Sequence, residues 1–197
     1  MKKTLLFLLI LFATKASYSQ VSFGIKTGMN IATTKNLIAF PKNRLGWYAG
    51  GRATILMHKK LFLQPELLFS SKGHKSYNEI GNSRLVTRFN YINVPILLGY
   101  RIDRKTSLVL GPEIGYLASA QVKYSSQFMD VSKNYPSKFD AGLNIGLNYE
   151  LIKNLSIEVR YDYGLRTLYS VDAVGNRYSE SKGANRVFQI GINYGLK

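Results

Sequence analysis

Phe188-Gln189-Ile190-Gly191-Ile192-Asn193-Tyr194-Gly195-Leu196 places every large apolar side chain on one parity and only Gln, Gly and Asn on the other. A period of two over this length is a β-strand with one apolar and one polar face. Working back along the chain, the same alternation recurs seven more times. The cleanest case is Lys138–Glu150, where Phe139, Ala141, Leu143, Ile145, Leu147 and Tyr149 oppose Asp140, Gly142, Asn144, Gly146, Asn148 and Glu150. The others span Val21 to about Thr33, Leu45–Met57, Leu61–Ser71, Leu85–Tyr100, Thr106–Ala118 and Leu155–Gly164.

The connections between these eight strands come in two kinds. Tight polar turns at His58-Lys59-Lys60, Arg101–Lys105 and Leu151–Asn154 follow the second, fourth and sixth strands. Long polar connections, Thr34–Arg44, Lys72–Arg84, Ser119–Ser137 and Leu168–Asn185, fill the alternate positions. In an up-and-down arrangement all long loops then lie at one end and all tight turns at the other. Outer-membrane barrels show that asymmetry, and a water-soluble barrel has no reason to.

An eight-stranded lipocalin-like barrel would turn its apolar face inward. Two features predict the reverse. The polar faces combine glycine with charge, which suits the narrow interior of an eight-stranded barrel and would weaken water-facing strands. The inward charges expected to pair across the lumen are Lys26, Arg52, Glu66, Glu113, Asp140, Glu158, Arg160 and Asp162, with Arg166 further along. The apolar faces collect aromatic rings at both ends: Trp47, Phe69, Tyr116, Phe139, Tyr163 and Phe188 at the loop end, Phe23, Tyr100, Tyr149 and Tyr194 at the turn end. Two rings of amphipathic side chains around an apolar band match two lipid–water interfaces. The expected fold is therefore all-β, an eight-stranded antiparallel transmembrane barrel.

Lys2 and Lys3, the apolar run Leu5–Phe12 and the small-residue stretch ending Ser17-Tyr18-Ser19 read as a secretory signal over residues 1–19, cut after Ser19. The run is far shorter than the ~20 residues a spanning helix needs. Residues 20–197 are then a single barrel domain. Removing Lys2, Lys3 and Lys15 lowers the formal charge from +16 to +13. An exported chain of that charge points to anionic lipid and lipopolysaccharide phosphates as partners rather than nucleic acid. The absence of cysteine excludes disulfides and thiolate metal sites. Pro65, Pro95 and Pro112 fall inside strands, where bulges are expected because each removes a ladder hydrogen bond. The facing of Phe89, Tyr91 and Asn93 before Pro95 is left open.

Gln64-Pro65-Glu66-Leu67-Leu68-Phe69-Ser70, Tyr91–Tyr100 and Leu110-Gly111-Pro112-Glu113-Ile114-Gly115-Tyr116 resemble the outer-membrane β-barrel family of Bacteroidota known as "porin family" or PorT-like, as do Gly24–Asn30 and the last strand. The resemblance covers the whole mature chain and implies a fold and a location, with in-strand prolines habitual. Asn93 stands where relatives commonly have an acid, and the chain ends on Lys197 rather than an aromatic.

No set of residues points to catalysis. The two histidines, His58 in a turn and His74 in a loop, read as surface groups, and neither a metal site nor a cofactor motif is evident. The loop lysines and arginines, among them Lys35, Lys42, Arg44, Lys72, Lys75, Arg84, Lys123, Lys133, Arg177, Lys182 and Arg186, read as a basic outer rim. Asp130, Asp172, Glu79 and Glu180 are interspersed with them, and Tyr124, Tyr135, Tyr169 and Tyr178 are candidates for contact with a protein or glycan partner. Three functions remain in play: a non-enzymatic barrel with a filled lumen acting as a structural, interaction or secretion-accessory protein; a narrow porin-like channel; and a secreted lipocalin-like binder of an apolar ligand.

Overall fold

The computed structural model describes residues 21–36, 41–78, 83–124, 127–135, 137–166 and 183–196. Alternation over these residues produces nine strands: β1 (Val21–Asn36), β2 (Lys42–Leu56), β3 (Leu61–Asn78), β4 (Ser83–Arg101), β5 (Thr106–Tyr124), β6 (Gln127–Asp130), β7 (Phe139–Ile152), β8 (Leu155–Gly164) and β9 (Gly183–Gly195). Each long strand pairs antiparallel with its sequence neighbours, and β1 pairs with β9 from Gly24↔Gly195 to Asn36↔Gly183. The sheet therefore closes on itself with eight staves. The ninth strand, β6, is a short flap folded back on the outer end of β5 (Gln121↔Asp130 to Tyr124↔Gln127).

Closure fixes which face is inside. Leu143, Ile145 and Ile190 are 45–49% exposed on the outer wall, whereas Asn144 and Gln189 are 0% and 2% exposed in the middle. The apolar band thus faces outward, and the lipocalin-like arrangement is excluded. All ten girdle aromatics lie on that outer face. At the loop end, the Trp47 and Phe69 rings lie 5.3 Å apart and those of Tyr116 and Phe139 meet edge-to-face at 5.6 Å.

The tight turns after β2, β4 and β7 fall together at one end, where Asn154 takes a positive φ of 67°. At the other end the strands outrun the sequence reading. Residues 72–78, 83–84 and 119–124, expected in loops, continue β3, β4 and β5 into a tall wall that β6 thickens. The polar composition of these extensions hid them, because mostly polar residues on both parities leave no apolar face to reveal the period.

The bulges expected at the prolines are absent. Pro65↔Ile96 and Leu68↔Asn93 share one register, as do Pro95↔Glu113 and Leu98↔Leu110. Each proline lacks only its own N–H, so one cross-strand bond is lost without inserting a residue. The register shifts occur elsewhere, at Asn43/Tyr48, Asn90/Tyr91 and Glu150/Ile152. At the second, Asn90 faces Ser119 while Tyr91 faces Leu117, so the extra residue, Ala118, belongs to β5. Consequently β4 keeps one parity, and Phe89, Tyr91 and Asn93 all point inward.

Candidate functional site

An eight-stranded barrel is just wide enough for its own side chains to fill, and here they do so in layers. Nearest the turns, Phe62, Leu97 and Val109 form an apolar plug against Leu56. Gly99 provides the hollow for the Phe62 ring, whose edge occupies the space any β-carbon at that position would need.

Above the plug lies a charge cluster built from four strands. The Arg160 guanidinium donates to both oxygens of Glu66, Nη1 to Oε2 and Nη2 to Oε1 at 2.9 Å each, and Nη2 also reaches Glu158 Oε2 at 3.0 Å. Lys26 Nζ bridges the same two acids from β1, 3.1 Å from Glu66 and 2.5 Å from Glu158. Two cations thus face two carboxylates, all at most 3% exposed. Gln64 donates to Glu66 Oε1 at 2.6 Å and Tyr48 Oη to Glu158 Oε1 at 2.9 Å. The Tyr48 ring crosses the lumen because Gly28 and Gly191 leave no side chain in its way. Bidentate, charge-assisted bonds of this kind offset the desolvation of buried ions.

A second cluster sits nearer the loops. Lys72 Nζ lies 2.8 Å from Glu113 and 2.5 Å from Asp162, and Glu113 also accepts from Asn93 and Asn144. Asn30 Nδ2 donates to Ser70 Oγ, and Gln189 Nε2 donates to Asn30 Oδ1. Asn185 Nδ2 donates to Asp140 Oδ2 at 2.7 Å. The mouth is then closed by Phe89, Tyr91, Leu117, Ala120 and Tyr135. Tyr135 follows a single 3-10 turn, Ser132–Asn134, and meets the Phe89 ring edge-on at 5.3 Å.

Of the expected lumen charges, Lys26, Glu66, Glu113, Glu158, Arg160 and Asp162 come together in these clusters. Three do not take the expected role. Arg52 points inward but touches no carboxylate among the described residues, bonding Thr54 Oγ1 at 2.8 Å. Asp140 is held by amide groups of Asn185 and Ala141, with no cation in contact among the described residues. Arg166 is exposed, two residues past the end of β8 at Gly164.

Several rim residues also move. Lys72 is a lumen cation, not a loop residue. Its signal was parity, since Gln64, Glu66, Leu68, Ser70 and Lys72 all face inward. Arg44 is buried, donating to Ser71 Oγ and to the Lys72 carbonyl. Arg186 stacks on Tyr163 at 3.6 Å and donates to the Gly164 carbonyl. Tyr135 seals the mouth instead of meeting solvent. His74 is not a surface group either: Nδ1 lies 3.0 Å from Thr34 Oγ1, and burial lowers its pKa below the ordinary imidazole value. His58 is exposed in its turn, at the opposite end of the barrel.

Lys35, Lys42, Lys133 and Asp130 remain exposed, with Lys75 and Lys123 half-buried on the tall wall. Residues 1–19, Glu79, Tyr169, Asp172, Arg177, Tyr178, Glu180 and Lys182 lie outside the described residues, as do the side chains of Arg84 and Tyr124. Among the described residues no cluster of His, Asp or Glu could hold a metal ion, and no helix is long and apolar enough to cross a membrane.

The sequence model of the outer membrane protein beta-barrel domain family matches residues 12–170. The chain belongs to that family. Solved structures share its fold. Neisserial surface protein A is 12% identical, with a TM-score of 0.55 over 90% of this chain and 98% of that one. Ail, the attachment invasion locus protein of Yersinia pestis, solved with the heparin analogue sucrose octasulfate, is 16% identical with a TM-score of 0.50, covering 89% of this chain and 99% of Ail. A major outer membrane protein of Thermus thermophilus is 13% identical with a TM-score of 0.51, covering 89% and 99%. No curated protein sequence matches the chain. This outer-membrane barrel accordingly has its turns on the periplasmic side and its tall wall outside.

Proposed function

We propose that this barrel is a non-enzymatic anchor that presents its outer wall to a partner and does not conduct solutes. The observation that carries the reading is the filled lumen: apolar plugs at Phe62/Leu97/Val109 and at Phe89/Leu117/Tyr135 enclose two ion-paired layers. A solute path would have to break several buried charge-assisted bonds at once, each break being strongly unfavourable. The wall supports the interaction role. Arg88 and Lys123 flank the exposed Phe128 ring at 4.3 and 5.4 Å, and Lys75 and Lys42 lie on neighbouring strands. Cations backed by an aromatic suit lipopolysaccharide phosphates or a sulfated or phosphorylated glycan, at roughly 1 kcal/mol per cation near an anionic surface. A protein partner, including a secretion machinery of the PorT-like kind, would use the same face. Residues 1–19 act in this reading as a cleaved signal, and the membership is with the Bacteroidota "porin family".

Planar-bilayer recordings test it. Purified protein should show no steady single-channel current, while binding to lipopolysaccharide vesicles should fall in Arg88→Gln/Lys123→Gln. Reproducible conductance that changes ion selectivity in Arg160 or Glu158 variants would establish the channel reading in its place.

A further inference from the structure

On the periplasmic side of the Phe62 plug the lumen opens into a vestibule of about 290 Å³. That is the volume of about ten waters, room for an oxyanion with a short organic tail and not for a polymer. Its charge is unbalanced. Arg52, Arg101, Arg104 and Lys105 line it, against Asp103 and Glu150. Asp103 is already engaged, since its Oδ1 accepts from the backbone N–H of Lys105 at 2.7 Å and of Thr106 at 2.8 Å.

Arg52 is the informative residue. Lys26, Lys72 and Arg160 each touch a carboxylate within 3.1 Å. Arg52, on the wall between them and the periplasm, makes one hydrogen bond among the described residues, to Thr54. The neighbouring Glu66 is not free to serve it, because Arg160, Lys26 and Gln64 occupy both of its oxygens. A half-buried guanidinium with four unused N–H groups is costly unless solvent or an anion meets it. The amides of Asn148 and Asn193 also line the vestibule, and their carbonyl oxygens have no hydrogen-bond partner among the described residues. Arg101, its guanidinium carbon 5.9 Å from the Phe62 ring centre, adds a second cation over the apolar floor.

We propose that this vestibule binds a small periplasmic oxyanion, a carboxylate or a phosphate, with Arg52 as the inner anchor and Arg101 at the rim. The forked guanidinium geometry matches either group. The guest enters from the periplasm and stops at the Phe62 plug, so the site is a terminal pocket and not a station on a path through the membrane.

The test is an amide NMR titration of the refolded, full barrel in lipid nanodiscs, with inorganic phosphate in one arm and succinate in the other. Saturable shifts confined to the vestibule, around Ser107, Asn148 and Asn193, are expected at millimolar ligand. Response to phosphate alone, to succinate alone or to both assigns the guest class. Arg52→Gln should weaken binding about tenfold or more, as expected for losing charged hydrogen bonds. Arg52→Lys, which keeps the charge and loses the fork, should weaken it less. Heat-modifiable gel migration checks that each variant is folded, and Arg101→Gln at the exposed rim provides a second readout should Arg52→Gln misfold. No saturation in either arm overturns the proposal, as does undiminished binding by a folded Arg52→Gln variant, or by Arg101→Gln if that is the variant that folds.

Discussion

Replacing Arg160 with Met isolates the energetics of the filled lumen. The substitution removes three charge-assisted hydrogen bonds, two to Glu66 and one to Glu158. Lys26 stays between the two acids, so a cluster of two cations and two anions becomes one cation against two anions in a water-poor interior. Breaking a buried pair by deleting one partner costs about 3–5 kcal/mol. Most of that is the desolvation of the carboxylate left behind. Deleting the whole cluster is a different experiment. With Lys26→Met, Arg160→Met, Glu66→Gln and Glu158→Gln combined, the two cations and two carboxylates of the cluster go together and only the half-buried Arg52 beside it keeps its charge, facing the periplasmic vestibule. Apolar replacement of buried ion pairs at similar volume is neutral or stabilising by about 1–4 kcal/mol. Urea unfolding in lipid vesicles measures both, with the single Trp47 in the outer girdle as fluorescent reporter and gel migration as a second probe. Arg160→Met should show a large loss of stability and the quadruple variant its recovery. A loss under about 1 kcal/mol for the single change would mean that water already solvates these carboxylates, and the sealed-lumen argument would fail with it.

Three further outcomes follow from particular contacts. Ile145→Arg places a cation in the middle of the outward band and should destabilise the barrel by about 2–4 kcal/mol in vesicles; a neutral result would contradict the facing of the sheet. Gly99→Ala forces a methyl against the Phe62 ring and should cost about 1–3 kcal/mol, recovered in part by Phe62→Leu, so failure of that second change to help would refute the packing account. The third concerns pH. Backbone N–H groups of Lys105 and Thr106 hold the Asp103 carboxyl below its ordinary value. A depressed folded value means that the turn's stabilisation is present above the unfolded-state pKa of about 3.9 and is lost as pH falls through the lower folded value. A carbon-detected NMR titration of Asp103 with a midpoint at or above the ordinary value would remove that account.

The eight staves, their facing, the turn positions and the outward side of the ten aromatic rings could be read from the chain alone. Alternation with period two is a local property, and each strand carries it without reference to its neighbours, as Phe139–Glu150 shows. Most lumen charges were legible for the same reason, since parity alone puts Glu66, Glu113, Glu158 and Arg160 on the inward side. Parity also pointed to Lys72, but its polar surroundings disguised the strand extension that carries it.

What parity cannot supply is the partner. Arg160 and Glu66 are separated by 94 residues and lie on β8 and β3, strands that do not pair with each other. Their meeting depends on the stagger with which the sheet closes and on the length of each side chain across the lumen. The same closure left Arg52 without a carboxylate in contact among the described residues, turned Tyr135 into a lid, buried Arg44 and half-buried His74, none of which any strand records by itself. Local chemistry decided which way each side chain points; the closed geometry of the barrel decided what it finds there.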